Sequence, residues 1–301
     1  MALKTSPEVG GMGHSIKRKE DPRFIRGKGT YVDDVVLPGM LYLDIVRSPF
    51  AHAKIKKIDI SKTTAIPGVL AVITGQDLAK YNLHWMPTLM SDTQMVLPVE
   101  KGMHQAEEVA GVRATPRYAA ADGVAAVEGE YEPLPVVVDP RKALEPGAPV
   151  LRTDKKDKKD NHIWHWEWGD RPATDRAFAE ADVTVKQDIY IPRIHVASIE
   201  TCGCVAHFDK VNDKLTVWMT TQAPHAIRTV FALVAGHVGL AEHKIRIISP
   251  DIGGGFGNKV GIYPGYILAV VGSIVTGRPV KWVEDRSENL MSTSFARDYL
   301  M

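Results

Sequence analysis

Four glycines fall within five positions at Gly253-Gly254-Gly255-Phe256-Gly257, between a strand-like run, Lys244 to Ser249, and an apolar run that begins at Val260. A backbone so poor in Cβ atoms can turn through left-handed conformations and bring its N–H groups close to a bound group. At a strand-to-helix junction this means either a cradle for an anion or cofactor, or a tight turn that lets a helix pack closely. Two familiar glycine loops are excluded by position. A Walker A loop needs Gly-Lys-Ser/Thr, but Asn258 follows Gly257 and Val260 follows Lys259. The dinucleotide pattern G-x-G-x-x-G fails as well, because its last position falls on Asn258 or on Val260, depending on where the count starts.

The chain has 301 residues, of which 45% are hydrophobic, enough for a sizeable core and about two domains. With 37 basic and 36 acidic residues it has no electrostatic bias toward nucleic acid. The longest uncharged run, Val260 to Gly277, is interrupted by Gly261, Pro264, Gly265 and Gly272. It is expected to be a buried helix beneath the glycine turn rather than a membrane span. Residues 1–19 lack the apolar core of a signal peptide. The only two cysteines, Cys202 and Cys204, are too close to form a disulfide framework, so a cytoplasmic, reduced protein is expected.

Alternation and β-branched content predict strands at Met40–Val46, Ala53–Ile60, Val69–Thr74, Pro135–Asp139, Val183–Ile191, Lys244–Ser249 and Pro279–Asp285. A hairpin is expected over Val205–Thr220, turning at Lys210–Lys214. Helices are expected at Tyr118–Val127, Thr174–Ala181 and Ala226–Val238. Short strands and isolated helices without βαβ alternation indicate an α+β fold. The charged run Arg152 to Asp160 has no apolar residue and is expected to be a solvated linker between two domains. Trp164, Trp166 and Trp168 share one face of an extended segment, a pattern suited to docking on a neighbouring surface.

Few isolated residues point to chemistry. Cys202 and Cys204 could bind a soft metal but lack partners at metal-ligand spacing, and they suit small buried positions better. His162, His165 and His195 are scattered, and the pairs Asp33-Asp34 and Glu107-Glu108 diverge on a strand. Gln222 is more informative, because it ends a long strand just before Pro224. Its amide there could donate a hydrogen bond to a metal-bound oxygen or simply enter a helix.

Taken in order, the segments Gly27–Asp34, Arg47–Ala53, Pro67–Val69, Tyr131–Pro135, Glu200-Thr201, Thr221–His225 and Gly253–Gly257 resemble the molybdenum-binding subunit of the xanthine dehydrogenase and aldehyde oxidase family. Ser15–Arg26 and Pro250–Lys259 resemble especially its aerobic carbon monoxide dehydrogenase branch. The resemblance implies an N-terminal extension over 1–19, an α/β hammerhead domain over 20–145, a linker over 146–168 and the start of a molybdopterin-binding domain over 169–301. It implies that Gln222 hydrogen-bonds an oxygen ligand of molybdenum, and that Gly254, Gly255, Phe256 and Gly257 contact a molybdenum–molybdopterin cytosine dinucleotide. FAD and 2Fe-2S clusters would reside on a medium and a small partner subunit, and the large subunit would dimerise. Family subunits are more than twice this long, and their later half supplies a glutamate near molybdenum and, in the carbon monoxide enzymes, a copper-binding cysteine; Cys202 and Cys204 do not match that motif. This chain by itself is not expected to turn over. Ala106 and Glu107 stand where glycine and glutamine are usual, Arg113 interrupts an apolar strand, and Gly129 replaces a β-former.

Overall fold

The Leu41–Arg47 strand alternates buried Leu41, Leu43 and Ile45 with partly exposed neighbours, the period-2 pattern of a sheet with one covered face. In a computed structural model, which describes residues 12, 15, 17–88 and 92–301, this strand lies inside a seven-stranded mixed sheet. The spatial order is Ile245–Ile248, Lys214–Met219, Gly203–Asp209, Val280–Val283, Leu41–Arg47, Glu108–Ala114 and Val69–Thr74. Leu41–Arg47 runs parallel to Val280–Val283 and antiparallel to Glu108–Ala114, so the sheet draws strands from both sides of the charged run. A three-stranded sheet joins Lys101–Gly102, Ala53–Asp59 and Glu128–Pro133. The expected extension over residues 1–19 lies mostly outside the described residues.

The Pro264–Thr276 helix is buried from Pro264 to Ser273, as its uncharged sequence requires. Gly265 allows it to approach the sheet, since a Cβ there would lie 2.3 Å from the Trp282 ring. That ring meets Tyr266 edge-on at 5.1 Å. Pro264 opens the helix and Gly277, at φ +67°, closes it. Among the described residues no helix is long and apolar enough to cross a membrane. The Pro224–Ala235 helix buries Ile227, Val230, Phe231, Val234 and Ala235, one apolar stripe at helical spacing.

Three local expectations change. The strand expected at Pro135–Asp139 is instead Glu128–Pro133; Pro135 has no N–H for a ladder, and Val136 and Val138 are exposed. Of Val183–Ile191 only Ile189–Ile191 is paired, with Tyr299–Met301. Part of the charged run is docked rather than solvated, because Arg152 bonds Asp92 at 2.9 Å and Asp154 at 2.7 Å, while Lys155 also pairs with Asp92. Ion pairing thus holds a segment that has no apolar surface to bury.

The unusual residues at 106 and 113 are structurally costly. Ala106 adopts φ +63°, a left-handed conformation that glycine takes freely. Arg113 is buried in a strand whose residues are all buried. Its Nη1 reaches the Gly272 carbonyl only at 3.4 Å, and its Nε has no partner. Gly129 is exposed, and the Tyr131 ring occupies the space its side chain would take. Ala106→Gly is expected to stabilise the chain by about 1 kcal/mol, and Arg113→Val by about 1–3 kcal/mol. Both are read as higher denaturant midpoints at unchanged slope.

Candidate functional site

The glycine loop leaves the Ile245–Ile248 strand and turns through three left-handed residues, Gly254 at φ +98°, Phe256 at +50° and Gly257 at +93°. Gly255 is pressed against Gln222, and a Cβ on it would lie 2.5 Å from the Gln222 Cδ and Oε1. Gln222 Oε1 accepts hydrogen bonds from the Gly257 N–H at 3.0 Å and the Lys259 N–H at 3.3 Å, and the Gln222 N–H donates to the Lys259 carbonyl at 2.9 Å. Because both side-chain partners are donors, the oxygen end of the amide must face them. The NH2 end faces away and donates to none of the described residues. Nor do the backbone N–H groups of Gly254, Gly255 and Phe256 find an acceptor among the described residues. The loop therefore offers several unspent donors on one half-buried turn, which suits an oxygen-bearing or anionic group. Both elements singled out in the sequence, Gln222 and Gly254–Gly257, are brought together.

Several supporting residues carry no signal in the sequence taken alone. Glu200 Oε2 accepts from the Gly253 N–H at 2.7 Å and from Lys259 Nζ at 3.0 Å, and the Glu200 N–H donates to the Gly253 carbonyl at 3.1 Å. Lys259 is 1% exposed. Glu200 Oε1 and Ser198 Oγ are buried without a partner, so the wall behind Gly253 and Gly254 retains polar capacity. At the other end of the loop, Asp251 pairs with Arg23 and accepts from the Thr30 N–H at 2.7 Å. The Arg23 hydrogen bond holds its carboxyl below the usual carboxylate range. Asn258 is clamped by Thr293 Oγ1 at 3.1 Å and by the Tyr263 hydroxyl at 2.7 Å.

A second polar cluster lies behind residues 200–202. Arg47 pairs with Glu108 and Glu288 at 3.0 Å each and lies 3.9 Å from Glu284. Glu284 accepts from the Cys202 N–H at 3.2 Å and from Asn289 Nδ2 at 2.9 Å. Burial pushes the Glu284 carboxyl up to about 7, with Asn289 and Arg47 offsetting it only in part, and burial together with the charge of Glu288 pushes Asp44 up to about 6.

The other candidates stay apart from the loop. Cys202 and Cys204 are buried free thiols, pushed well above the ordinary thiol range by burial. His195 Nε2 lies 2.9 Å from the Asn289 carbonyl and 3.0 Å from Thr293 Oγ1, a structural role. Among the described residues no three His, Cys, Asp or Glu side chains form a metal-binding group. Glu107 is buried, its carboxyl raised by that burial, and lines a cavity of about 670 Å³ with His104, Tyr263 and Ser294. Neither Gln222 nor the 253–257 loop lines that cavity.

Comparison with known proteins places these features in context. Residues 26–135 match the aldehyde oxidase and xanthine dehydrogenase a/b hammerhead domain, and residues 154–301 match the molybdopterin cofactor-binding domain. The carbon monoxide dehydrogenase large chain of Afipia carboxidovorans is 59% identical over 100% of this chain and 38% of its own length. The nicotine 6-hydroxylase large subunit of Paenarthrobacter nicotinovorans is 36% identical over 95% of this chain and 35% of its own length. Among solved structures, the reconstituted CO dehydrogenase from Oligotropha carboxidovorans superposes with a TM-score of 0.90 at 58% identity, covering 96% of this chain and 37% of that one. Quinoline 2-oxidoreductase from Pseudomonas putida 86 gives 0.82 at 33% identity, covering 96% of this chain and 36% of that one. The chain thus spans less than two fifths of the length of each of these four proteins.

The buried acids give the fold a pH dependence. A carboxyl that holds its proton more tightly folded than unfolded contributes stability at low pH and loses it as pH rises. For Glu284 the contribution is present below its ordinary value of 4.5 and is lost by about 7. Glu284→Gln is expected to flatten this decline by up to about 3 kcal/mol, measured by urea unfolding at acid and at neutral pH. An unchanged pH slope in the variant would place the proton on another acid of the cluster.

Proposed function

Because this chain belongs to the aldehyde oxidase and xanthine dehydrogenase family of molybdenum enzymes, we propose that it builds the hammerhead domain and one wall of the molybdenum–pterin site in a large subunit of the carbon monoxide dehydrogenase type. The observation that carries this reading is the contact between Gly255 and Gln222, with unengaged donors on both. When bound, the molybdenum–pterin group supplies the redox chemistry that the polypeptide lacks. Gln222 Nε2 would donate to an oxygen of that group, and its opposite end, held by Gly257 and Lys259, cannot rotate away without losing two hydrogen bonds. The N–H groups of Gly254, Gly255 and Phe256 would contact its negatively charged atoms. Donors fixed in advance need no reorganisation as charge develops.

On this reading residues 20–145 are the hammerhead, 146–168 the linker and 169–301 the start of the cofactor-binding domain. The pterin would carry the cytosine dinucleotide form, and copper, where used, would be held by residues outside this chain. Electrons would leave through iron-sulfur and FAD partner subunits, in a cytoplasmic assembly containing a large-subunit dimer. The preference for carbon monoxide over an N-heterocycle rests on 59% against 36% identity to the respective relatives.

With one wall only, the chain by itself is expected to retain far less than one molybdenum per polypeptide and to show no turnover. Assembled with the rest of a large subunit and its partners, it should bind molybdenum stoichiometrically and oxidise carbon monoxide with an artificial electron acceptor. Gly255→Ala, which drives a methyl into Gln222, should lower molybdenum content and kcat by at least about tenfold with circular dichroism unchanged. Full molybdenum occupancy in that variant would remove the cradle reading. Oxidation of an N-heterocycle but not carbon monoxide would reassign the substrate.

A further inference from the structure

One carboxylate oxygen closes the glycine loop. Glu200 Oε2 accepts from the Gly253 N–H, where the loop starts, and from Lys259 Nζ, where it ends. The Lys259 side chain is 1% exposed and that of Glu200 17%, so the pair lies behind the loop and bonds none of the donors assigned to the cofactor. Glu200 is itself anchored from the rear. Thr201 Oγ1 donates to the Glu284 carbonyl at 2.8 Å, the Cys202 N–H to Glu284 Oε2 at 3.2 Å and the Glu284 N–H to the Cys202 carbonyl at 3.0 Å. At the front, Lys259 turns its ammonium to Glu200 and both of its backbone groups to Gln222. The Gln222 amide makes no side-chain hydrogen bond among the described residues besides those from the Gly257 and Lys259 N–H groups.

We propose that the Glu200–Lys259 ion pair is a positioning pair for the reaction: it sets the direction in which Gln222 presents its amide NH2, and it acts on the chemistry only through Gln222. The proposal rests on the cofactor reading and deepens it. The two ends of a carboxamide have nearly the same shape, and turning one over replaces a donor with an acceptor. A turned Gln222 would direct an oxygen at the oxygen it is meant to hydrogen-bond. Only the Gly257 and Lys259 N–H groups select against that, and the bond from Lys259, at 3.3 Å, is at the long end of the range, so a small retreat of Lys259 breaks it. The ammonium held by Glu200 prevents the retreat. A pair that served stability alone would matter equally whether or not residue 222 carried an amide; a positioning pair matters only when it does.

The test is a mutant cycle in the assembled enzyme. Glu200→Gln with Lys259→Met removes both charges together, so that neither is left buried and unpaired, and the introduced amide oxygen can still accept from Gly253. With circular dichroism unchanged, this double change should lower kcat per bound molybdenum at least about tenfold and leave KM within about twofold. Placed on Gln222→Ala, it should alter kcat by less than about twofold. Lys259→Met alone, which leaves the carboxylate on Gly253, should show the same dependence on Gln222. Hydrogen exchange gives a readout independent of turnover: the peptide containing the Gly257 and Lys259 amides should exchange at least about tenfold faster in the doubly changed enzyme. An equal loss of kcat with and without the Gln222 amide, or unaccelerated exchange, would overturn the proposal. A Gln222→Ala enzyme with parental kcat and molybdenum content would instead remove the cofactor reading beneath it.

Discussion

The Glu200 carboxylate is the interaction on which the glycine loop depends. A lysine buried as deeply as Lys259 must be neutralised where it stands, and removing one member of such a pair typically costs about 3–5 kcal/mol. Glu200 neutralises it with the same oxygen that accepts the Gly253 N–H, so charge compensation and loop placement are one event. From there the constraint passes along the chain. Lys259 fixes the far end of the loop, its backbone N–H holds the oxygen end of Gln222, and the amide direction of Gln222 follows. The orientation of the candidate donor is thus set by a charge pair that does not itself face the open side of the turn.

Around this pair the loop is tied to separate parts of the chain. Asp251 joins it to the N-terminal segment through Arg23 and Thr30, and Asn258 joins it to Thr293 and Tyr263. Gly265 lets the buried helix meet Trp282 beneath. Such bracing suits a site whose donors must keep their positions without a ligand to organise them.

Where local pattern and tertiary context agreed, the elements were legible in the sequence. The alternation of Leu41–Arg47, the helical stripe of Pro224–Ala235 and the uncharged stretch of Pro264–Thr276 all predicted the burial they have. The misread segments share one cause. Pro135–Asp139 and Val183–Ile191 carry β-forming residues, but a strand needs a neighbour, and composition cannot say whether one is present. The charged run was misjudged for a related reason: Asp92, distant in sequence, holds Arg152 and Lys155. At the site, the glycines and Gln222 stood out because their residue types are unusual at a strand end. Glu200, Lys259 and Asp251 are ordinary charged residues whose roles arise only from contacts across the fold. Ala106 was visible as an oddity, and its φ of +63° gives the reason.

The parallel pairing of Leu41–Arg47 with Val280–Val283 also has a consequence for how the protein is made. Leu41–Arg47 can pair with Glu108–Ala114 early, but its other edge waits for a strand that leaves the ribosome much later. At synthesis rates of about 5–20 residues per second the delay is on the order of ten to fifty seconds. Throughout it, a nascent sheet displays an open, apolar edge of Leu, Tyr and Ile. The central sheet is therefore completed late and from distant parts, and until Val280–Val283 emerges its open edge is where co-translational protection would act against mispairing.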